Sequence, residues 1–287
     1  MSRQKKGFIM QITIIIFIAV FVYWFIVWQN NSIITTSLTY SSEKIPEELS
    51  GLRILHVSDL HNKKSFGKEG SDLPDKIKEA SPDIIVITGD LIDYHRANVN
   101  IAMDFIQSII MVAPVYYVPG NHEAISGVYP ELSSLLKKAG VTVLDFESVH
   151  LKKDGAQITL AGADDITFID KKRGESSQTA FEQNLSDLRA GAEGFTILLS
   201  HRPEYFDLYV QQGFDLVFSG HAHGGQVRLP LIGGIYAPSQ GLFPKYTAGM
   251  YKKDGAAMVV SRGLGNSEFP FRVFNRPEII TLTLLSK

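Results

Sequence analysis

Five short apolar segments of this chain each run directly into a group of polar residues that contains histidine, aspartate or asparagine. The segments are Arg53–Ser58, Asp83–Thr88, Val115–Val118, Phe195–Leu199 and Asp215–Phe218. Near-continuous apolar runs of this length are typical of strands that other layers cover on both faces. Because open α/β sheets bind ligands at the carboxyl ends of their strands, the five polar groups predict one functional site at a sheet edge.

Helical segments and further strands are predicted around these five strands. The predicted helices are Leu73–Ala80, Val99–Val112, Glu131–Ala139 and Gln178–Arg189, and they end near proline or glycine. Asp154-Gly155 lies between two alternating runs, which predicts a hairpin. Ala256–Ser261 and Glu278–Leu285 are also predicted as strands. The pattern indicates an α/β fold in which two sheets pack face to face with helices outside.

An uncharged apolar run extends from Phe8 to Trp28, with Trp24 and Trp28 near its far end. It is long enough for a membrane-spanning helix, which needs about 20 residues. A cleaved signal peptide is the main alternative, but the run is too long for one and no small-x-small site follows it. A helix buried in a soluble core would not be apolar on every face.

Basic residues alone precede this run, and acidic residues appear only after it. The positive-inside rule therefore places the N-terminus in the cytoplasm. We expect a single-pass cell-membrane protein with cytoplasmic residues 1–7, a transmembrane anchor at 8–28, a tether at 29–50 and an extracytoplasmic domain at 51–287. Oligomeric state is left open by the sequence.

Composition excludes several classes of function. The chain has no cysteine, so thiolate metal sites, iron–sulfur clusters and a cysteine nucleophile are ruled out. Its 28 basic and 30 acidic residues give a formal charge of −2, which argues against a nucleic-acid partner bound through phosphate neutralisation.

Each polar group alone is weak evidence, since Asp-x-His, Gly-Asp and Gly-Asn-His also occur in ordinary turns and caps. All of them at successive strand ends form a distinctive set. The set is Asp59-x-His61, Gly89-Asp90, Gly120-Asn121-His122-Glu123, His201 and Gly220-His221-Ala222-His223. It resembles the calcineurin-like metallophosphoesterase superfamily over roughly residues 52–285. Residues 220–250 and 261–266 resemble a bacterial, membrane-associated branch often labelled phosphodiesterase or UDP-2,3-diacylglucosamine pyrophosphatase-like.

The resemblance implies a four-layer α/β/β/α sandwich with two divalent metal ions at one sheet edge. By that resemblance the first ion is bound by Asp59, His61 and His223, and the second by Asn121, His201 and His221. Asp90 is expected to bridge the two ions. Oxygen and imidazole ligands without sulfur suit Mn²⁺, Zn²⁺ or Fe and do not separate them. A metal-bridging hydroxide would then attack phosphorus.

Two further residues are expected to handle the proton. By resemblance His122 faces the leaving group as general acid or stabilises charge on the phosphoryl group. Asp93 is expected to orient and charge that imidazole, with a helix N-cap as its alternative. Glu123 is expected to brace a backbone amide and not to take part in chemistry.

Substrate contacts are the least specific expectation. Arg228, Lys245 and Tyr246 are candidates for binding the phosphate or walling a pocket, and each has a structural role as its alternative. The expected activity is hydrolysis of a phosphodiester or phosphomonoester in the cell envelope, and lipid- or cell-wall-linked phosphoesters are the candidate substrates. Cleavage of a UDP-linked lipid ranks lower, since such intermediates are made on the cytoplasmic side. A non-catalytic metal-binding scaffold is the alternative from another class.

Overall fold

The computed structural model describes residues 3–64, 66, 72–169, 176–266 and 269–287. The helices in this part of the chain are α1 (Arg3–Asn31), α2 (Asp72–Glu79), α3 (Val99–Ile109), α4 (Asn121–Ser126), α5 (Tyr129–Lys138), α6 (Ser177–Ala190) and α7 (Phe206–Gln211). The strands are β1 (Ile34–Ser42), β2 (Arg53–Val57), β3 (Ile84–Thr88), β4 (Val115–Val118), β5 (Thr142–Val143), β6 (Ser148–Lys153), β7 (Ala156–Ala163), β8 (Thr196–Ser200), β9 (Leu216–Ser219), β10 (Arg228–Leu229), β11 (Gly233–Gly234), β12 (Tyr236–Ala237), β13 (Gly241–Leu242), β14 (Gly249–Lys253), β15 (Ala256–Val260) and β16 (Glu278–Ser286).

The described strands form two six-stranded sheets and two short hairpins. The first sheet has the order β1-β16-β2-β3-β4-β5, and β2 to β5 run parallel. The second has the order β14-β15-β9-β8-β7-β6, and β15, β9, β8 and β7 run parallel. Each sheet therefore has a parallel centre whose strands end at a common edge.

Alternate residues of the central strands face two different cores. Ile84 and Val86 of β3 lie in the core between the sheets, whereas Ile85 and Ile87 pack against helices. Residues of α2, α3 and α5 share that outer core of the first sheet, and residues of α6 and α7 cover the second. The predicted four-layer α/β/β/α arrangement is confirmed, because a strand buried on both faces needs a layer on each side.

Most predicted elements occur close to their expected positions. Asp154 and Gly155 both have positive φ (52° and 87°), the backbone of a two-residue hairpin turn between β6 and β7. Helix α3 ends at Ile109, earlier than predicted, because residues 110–113 form a turn ahead of Pro114. Helix α1 includes the whole predicted anchor.

The apolar helix α1 has the properties of a membrane span. Within Gln4–Asn31 the most apolar stretch of 18 residues has a mean hydropathy of 2.5, and none of it is buried inside the protein. A helix of 29 residues is about 43 Å long, which exceeds the roughly 30 Å hydrocarbon core of a bilayer.

Residues 29–50 do not form the expected tether. Helix α1 continues to Asn31, and β1 then begins at Ile34 as the edge strand of the first sheet, paired in parallel with β16. Tyr40, Ile45 and Leu49 are buried in the core between the sheets. The polar Ser and Thr side chains on the exposed side of β1 concealed the strand, although threonine suits strand backbone well.

The buried Tyr40 distinguishes a folded segment from a tether. Tyr40→Ala should lower the free energy of unfolding by about 3–5 kcal/mol, the cost of removing a large buried aromatic side chain. Thr39→Ala, at the neighbouring exposed position of β1, should change it by less than about 0.5 kcal/mol. Chemical denaturation of the full chain measures both, and equal small effects would contradict the strand's role in the fold.

Candidate metal centre

Side chains from five strand ends meet at one edge of the sandwich. Asp59 and His61 follow β2, Asp90 follows β3, Asn121 and His122 follow β4, His201 follows β8, and His221 and His223 follow β9. The predicted ligands thus come from both sheets, and they are brought together because the parallel strands of the two packed sheets end at the same edge. Every aspartate and histidine in this set is buried.

The backbone at this edge is strained. Asp59, His61, Asp90, His221 and His223 all have positive φ, between 46° and 62°. A non-glycine residue in this left-handed region costs roughly 1–2 kcal/mol. Such conformations persist where the surrounding structure fixes them, and they are concentrated at functional sites. Here each turn directs a polar side chain inward at the point where its strand ends.

Glycines let these turns approach one another. A Cβ on Gly120 would lie 2.2 Å from Oδ1 of Asp90, and a Cβ on Gly220 would lie 1.8 Å from Oγ of Ser58. Gly263 is similarly close to Asp59. The glycines of the Gly-Asn-His and Gly-His-x-His groups are therefore required by close backbone approach.

Asp59, His61 and His223 form the first ligand cluster. Nε2 of His61 lies 3.1 Å from Nε2 of His223 and 3.8 Å from Oδ1 of Asp59. Nε2 of His223 is 3.4 Å from the same carboxylate oxygen. The Asp59 carboxylate also accepts the backbone N–H of His221, which fixes the double-histidine loop against the first sheet.

Asp90, His201 and His221 form the second cluster. Nε2 of His201 is 3.1 Å from Oδ2 of Asp90, but it makes no hydrogen bond within the described part of the chain. Nδ1 of His201 donates to the carbonyl of Thr88 at 2.6 Å. When the second proton leaves the ring, this bond leaves the Nε2 lone pair available for a metal. Oδ1 of Asn121, also buried, likewise has no partner among the described residues.

Asp90 connects the two clusters, and with His61 and His122 it forms a third group of possible metal ligands. Its Oδ2 lies 3.6 Å from Nε2 of His61 and 3.1 Å from Nε2 of His201. Ligand atoms about 2.1 Å from one metal ion lie about 3.0–3.4 Å apart at octahedral or tetrahedral angles. The shortest separation in each cluster, 3.1 Å, falls in this range, and the ligand atoms of each cluster all lie within 4.8 Å of one another. Together with the unpartnered atoms of Asn121 and His201, this spacing fits two divalent ions joined by one carboxylate.

The buried charges favour cations in the space between the clusters. Burial alone would raise the pKa of Asp90, but the facing His201 and His122 lower it well below its usual value. Burial opposes protonation of His201, yet the Asp90 carboxylate outweighs it and raises the pKa to about 10. Burial lowers the pKa of His223 to about 3 despite Asp59. The cluster therefore combines ionised carboxylates with a neutral His223 and a protonated His201, and a metal ion bound at His201 would displace its proton.

Glu123 braces the backbone of both central loops, as predicted. Its Oε2 accepts the N–H groups of Asp90 and Gly120, both at 2.8 Å, and its Oε1 accepts that of Ile92 at 3.2 Å. Burial and the nearby Asp90 raise the pKa of Glu123 to about 7, and the three backbone donors act in the opposite direction. The carboxylate thus links the turn that carries Asp90 to the start of α4.

His122 lies beside the ligands. Its Nε2 is 3.9 Å from Oδ2 of Asp90, and its Nδ1 accepts the backbone N–H of Tyr94 at 3.1 Å. Burial lowers the pKa of His122 to about 4, although Asp90 opposes the shift. The ring is therefore neutral at pH 7, and because Nδ1 is an acceptor, the proton is on Nε2, which faces the centre.

Asp93 does not orient this imidazole through a hydrogen bond in the described part of the chain. Its Oδ1 accepts the backbone N–H of His95 and caps the short 3₁₀ helix Tyr94–Arg96. The predicted orienting role is corrected by this geometry, because the Tyr94 N–H occupies the nitrogen that Asp93 would have to reach. Asp93 still acts on the ring through its charge, which favours protonation.

The three predicted substrate contacts have structural partners instead. Arg228 donates to the carbonyl of Gly224 at 2.8 Å. Tyr246 is buried in the core beneath the second sheet, with its ring against Phe206 and Tyr251. Lys245 is on the surface, 3.9 Å from Asp207. Arg228, Lys245 and Tyr246 do not line the cleft over the ligands.

Sequence reasoning missed several residues of that cleft. It has a volume of about 200 Å³, and besides site residues it is lined by Tyr94, His95, Ile125 and Pro238. Arg202 was also missed, although it directly follows His201. Its guanidinium pairs with Asp165 at 2.7 Å and lies 3.5 Å from Nε2 of His221. No local signal marks Arg202, because its partner is remote in sequence.

A family model described as calcineurin-like phosphoesterase matches residues 52–225 of this chain. The chain belongs to the calcineurin-like phosphoesterase family. The matched range contains every ligand of both clusters, His122 and the bracing Glu123. Membership and the two ligand clusters together make the protein a metal-dependent phosphoric ester hydrolase that uses divalent metal ions. The sequence-based recognition is confirmed.

Curated relatives agree with this family assignment. The chain is 32% identical to the uncharacterized metallophosphoesterase YkuE of Bacillus subtilis over 88% of this chain and 85% of that protein. It is 29% identical to the phosphodiesterase YaeI of Escherichia coli over 81% and 82%. It is 28% identical to a transmembrane protein with metallophosphoesterase domain of Danio rerio over 84% of this chain, but it spans only 55% of that relative.

The close approach of the Gly120 and Asp90 turns yields a test of this calcineurin-like centre. Gly120→Ala should displace the Asp90 carboxylate, and the protein should then bind both metals at least ~10-fold more weakly, as for disturbed support of a metal ligand. Gly191→Ala is the control, because its Cβ would meet nothing closer than 3.8 Å. Metal content after dialysis measures both variants, and full metal content in Gly120→Ala would contradict the packing argument.

Proposed function

We propose that this protein is a membrane-anchored phosphoesterase with two metal ions, acting on a phosphodiester or phosphomonoester of the cell envelope. The observation that carries the proposal is the pair of ligand clusters connected by Asp90, with a neutral, proton-bearing His122 beside them. The apolar, unburied helix α1 supports the anchor. The Danio rerio relative is named as a transmembrane protein, which also supports membrane attachment. The name phosphodiesterase given to YaeI favours a diester substrate.

The residues divide the chemical work in this proposal. Asp59, His61 and His223 would hold one ion, Asn121, His201 and His221 the other, and Asp90 both. The bound ions would make coordinated water nucleophilic at neutral pH and neutralise charge on the phosphoryl oxygens. The cleft lined by Tyr94, Ile125 and Pro238 would exclude bulk water from one side of the phosphoryl group.

His122 would supply the proton that the leaving oxygen needs. Tyr94 N–H holds Nδ1, so the Nε2 proton is directed toward the centre and away from the backbone. When the P–O bond breaks, negative charge develops on the leaving oxygen, and a neutral imidazole N–H can donate to it. The resulting imidazolium would be stabilised by Asp90 and Asp93, whose charges favour the protonated ring.

A scaffold without activity is the competing function from another class. Degenerate members of such folds would lose ligands or the proton donor, whereas this chain has side chains of the expected type at every position. Hydrolysis of bis-p-nitrophenyl phosphate by the purified full chain with added Mn²⁺ separates the two functions. Absence of hydrolysis with both metals bound would favour the scaffold.

His122→Ala tests the proton-donor role. The variant should keep both metals, and its rate on an alkyl phosphodiester should fall by about 10²–10⁴, the range for a lost general acid. With p-nitrophenolate as leaving group the loss should be much smaller, since that oxygen needs no proton. His150→Ala, a change at an exposed histidine of β6, is the control. A similar loss for both leaving groups would instead assign His122 to charge stabilisation, and loss of a metal would make it a ligand.

Asp93→Asn should have a mild effect. The amide oxygen can still accept the His95 N–H and cap the helix Tyr94–Arg96, so only the charge near His122 changes. We expect a rate loss below about 10-fold, smaller than for a lost general acid. Parallel assays with His122→Ala measure it. A loss as large as that of His122→Ala would restore the orienting role to Asp93.

Asp90→Asn tests the shared ligand. Because the Asp90 carboxylate lies beside His61 of the first cluster and His201 of the second, the change should lower the occupancy of both metal sites. Asp59→Asn, which alters only the first cluster, should chiefly lower one. Metal analysis of the two purified variants makes the comparison, and two full equivalents in Asp90→Asn would remove Asp90 as a bridge.

The proposed topology places the catalytic domain outside the cytoplasm, because Arg3, Lys5 and Lys6 precede the apolar run. A reporter fused after Lys287 should be active if it requires an extracytoplasmic location and inactive if it requires the cytoplasm. The opposite pattern would reverse the orientation and give priority to cytoplasmic substrates such as a UDP-linked lipid.

A further inference from the structure

Exposed apolar side chains are grouped beside the end of α1. They lie on the β10–β11 hairpin, on β13 and the residue after it, and on the segment 269–274; the argument uses Leu231, Ile232, Leu242, Phe243, Phe269 and Phe274, here called the apolar rim. Leu231 is fully exposed, and Phe243 is 67% exposed. Exposed apolar groups of this size are unusual on a surface that faces only water, and they mark interaction sites.

Backbone contacts make the rim one continuous surface. The N–H of Arg228, at the base of the hairpin, donates to the carbonyl of Val273 at 3.0 Å. Phe243 N–H donates to the carbonyl of Ile235 at 2.8 Å, which joins β13 to the same hairpin. The Tyr236 ring lies 6.3 Å from that of Phe269. The three segments are therefore held together and cannot expose their apolar groups independently.

The rim is in contact with the apolar helix. The ring of Phe274 packs edge-on against Phe25 of α1, with centroids 5.4 Å apart. The guanidinium of Arg276 lies 5.0 Å from the Trp28 ring. Aromatic and basic side chains in this arrangement are typical of the level where hydrocarbon meets headgroups. Phe274 thus lies at the depth of the last apolar turns of α1.

The domain is attached to α1 rigidly and without a linker. Asn275 N–H donates to the side chain of Gln29 at 3.1 Å, and Arg272 N–H donates to that of Asn30 at 3.1 Å. Gln29 and Asn30 are themselves buried. Because both bonds fall in the last turns of the helix, the edge that contains Arg272 and Asn275 cannot move far from the membrane surface once α1 is inserted.

We propose that the apolar rim inserts into the membrane interface around the end of α1 and holds the metal cleft at the bilayer surface. This inference rests on the anchor in the proposed function. Lipid is the occupant because the rim continues directly onto Phe25, a residue of the helix that lipid would surround. The hairpin adjoins the double-histidine loop, since Gly225 and Gly234 approach so closely that a Cβ on Gly225 would lie 2.4 Å from Cα of Gly234.

Site-specific labelling of the full chain in lipid nanodiscs tests the docked position. The protein has no cysteine, so single variants can carry an environment-sensitive fluorophore. Leu231→Cys reports on the rim and Phe17→Cys on the middle of α1. Met111→Cys is the matched control, because Met111 is apolar and 91% exposed. It precedes β4 and so lies at the end of the strands away from the metal centre. The quencher is a phospholipid with a nitroxide high on its acyl chain.

Docking predicts blue-shifted emission at Leu231, with most of it lost when the nitroxide lipid is included, and unquenched emission at Met111. If lipid quenches the fluorophore at position 17 but the fluorophore at position 231 emits as it does in water, the anchor stands and the insertion of the rim is overturned. A blue shift at Leu231 without lipid quenching would mean that protein covers the rim, and would also overturn it. Aqueous emission at Phe17 would remove the anchor and the inference together, while hydrolysis of bis-p-nitrophenyl phosphate by the same samples tests the phosphoesterase separately.

Discussion

The face-to-face packing of the two sheets is the constraint on which the metal centre depends, because each cluster takes ligands from both sheets. Asp59 and His61 reach the first cluster from one sheet, and His223 reaches it from the other. Asp90 and His201 are divided between the sheets in the same way. Gly220 permits the contact by letting its backbone approach Ser58 more closely than any side chain would allow. Ions bound here would cross-link the two sheets, so metal binding and sheet packing should stabilise one another.

The strained backbone of the turns that carry the metal ligands follows from the close packing of the two sheets. A strand that ends beneath a neighbouring sheet has little room, and the left-handed backbone of Asp59, Asp90 and His221 turns each side chain inward within one residue. The cost is offset by fixed partners such as Glu123, which receives three backbone N–H groups from these loops. The resulting site is formed before any substrate arrives, which is the condition for effective electrostatic stabilisation.

The sequence was sufficient for features that depend on local pattern. Buried parallel strands such as β3 carry their own signature, and the polar groups after them mark the site because strand ends must converge. Features that depend on tertiary contacts could not be predicted from the sequence. Strand β1 is polar on one side and gains its stability from β16, far away in sequence. Tyr246 belongs to a segment whose composition suits a pocket wall, but its ring packs against Phe206 and Tyr251 in the core. The role of Asp93 depended on which group reaches Nδ1 of His122, and the folded backbone places the Tyr94 N–H there.

The junction between α1 and the domain has a consequence for synthesis of the chain. Gln29 and Asn30 are synthesised 246 and 242 residues before their partners Asn275 and Arg272. Strand β1 likewise waits for β16, with Ile34 opposite Glu278 and Ser42 opposite Ser286. Domains generally fold during synthesis from the N-terminus onward, but this one cannot complete its first sheet until β16 has emerged. During that interval the exposed edge of the sheet would be open to wrong pairing, and an inserted helix would keep the unfinished chain at the membrane.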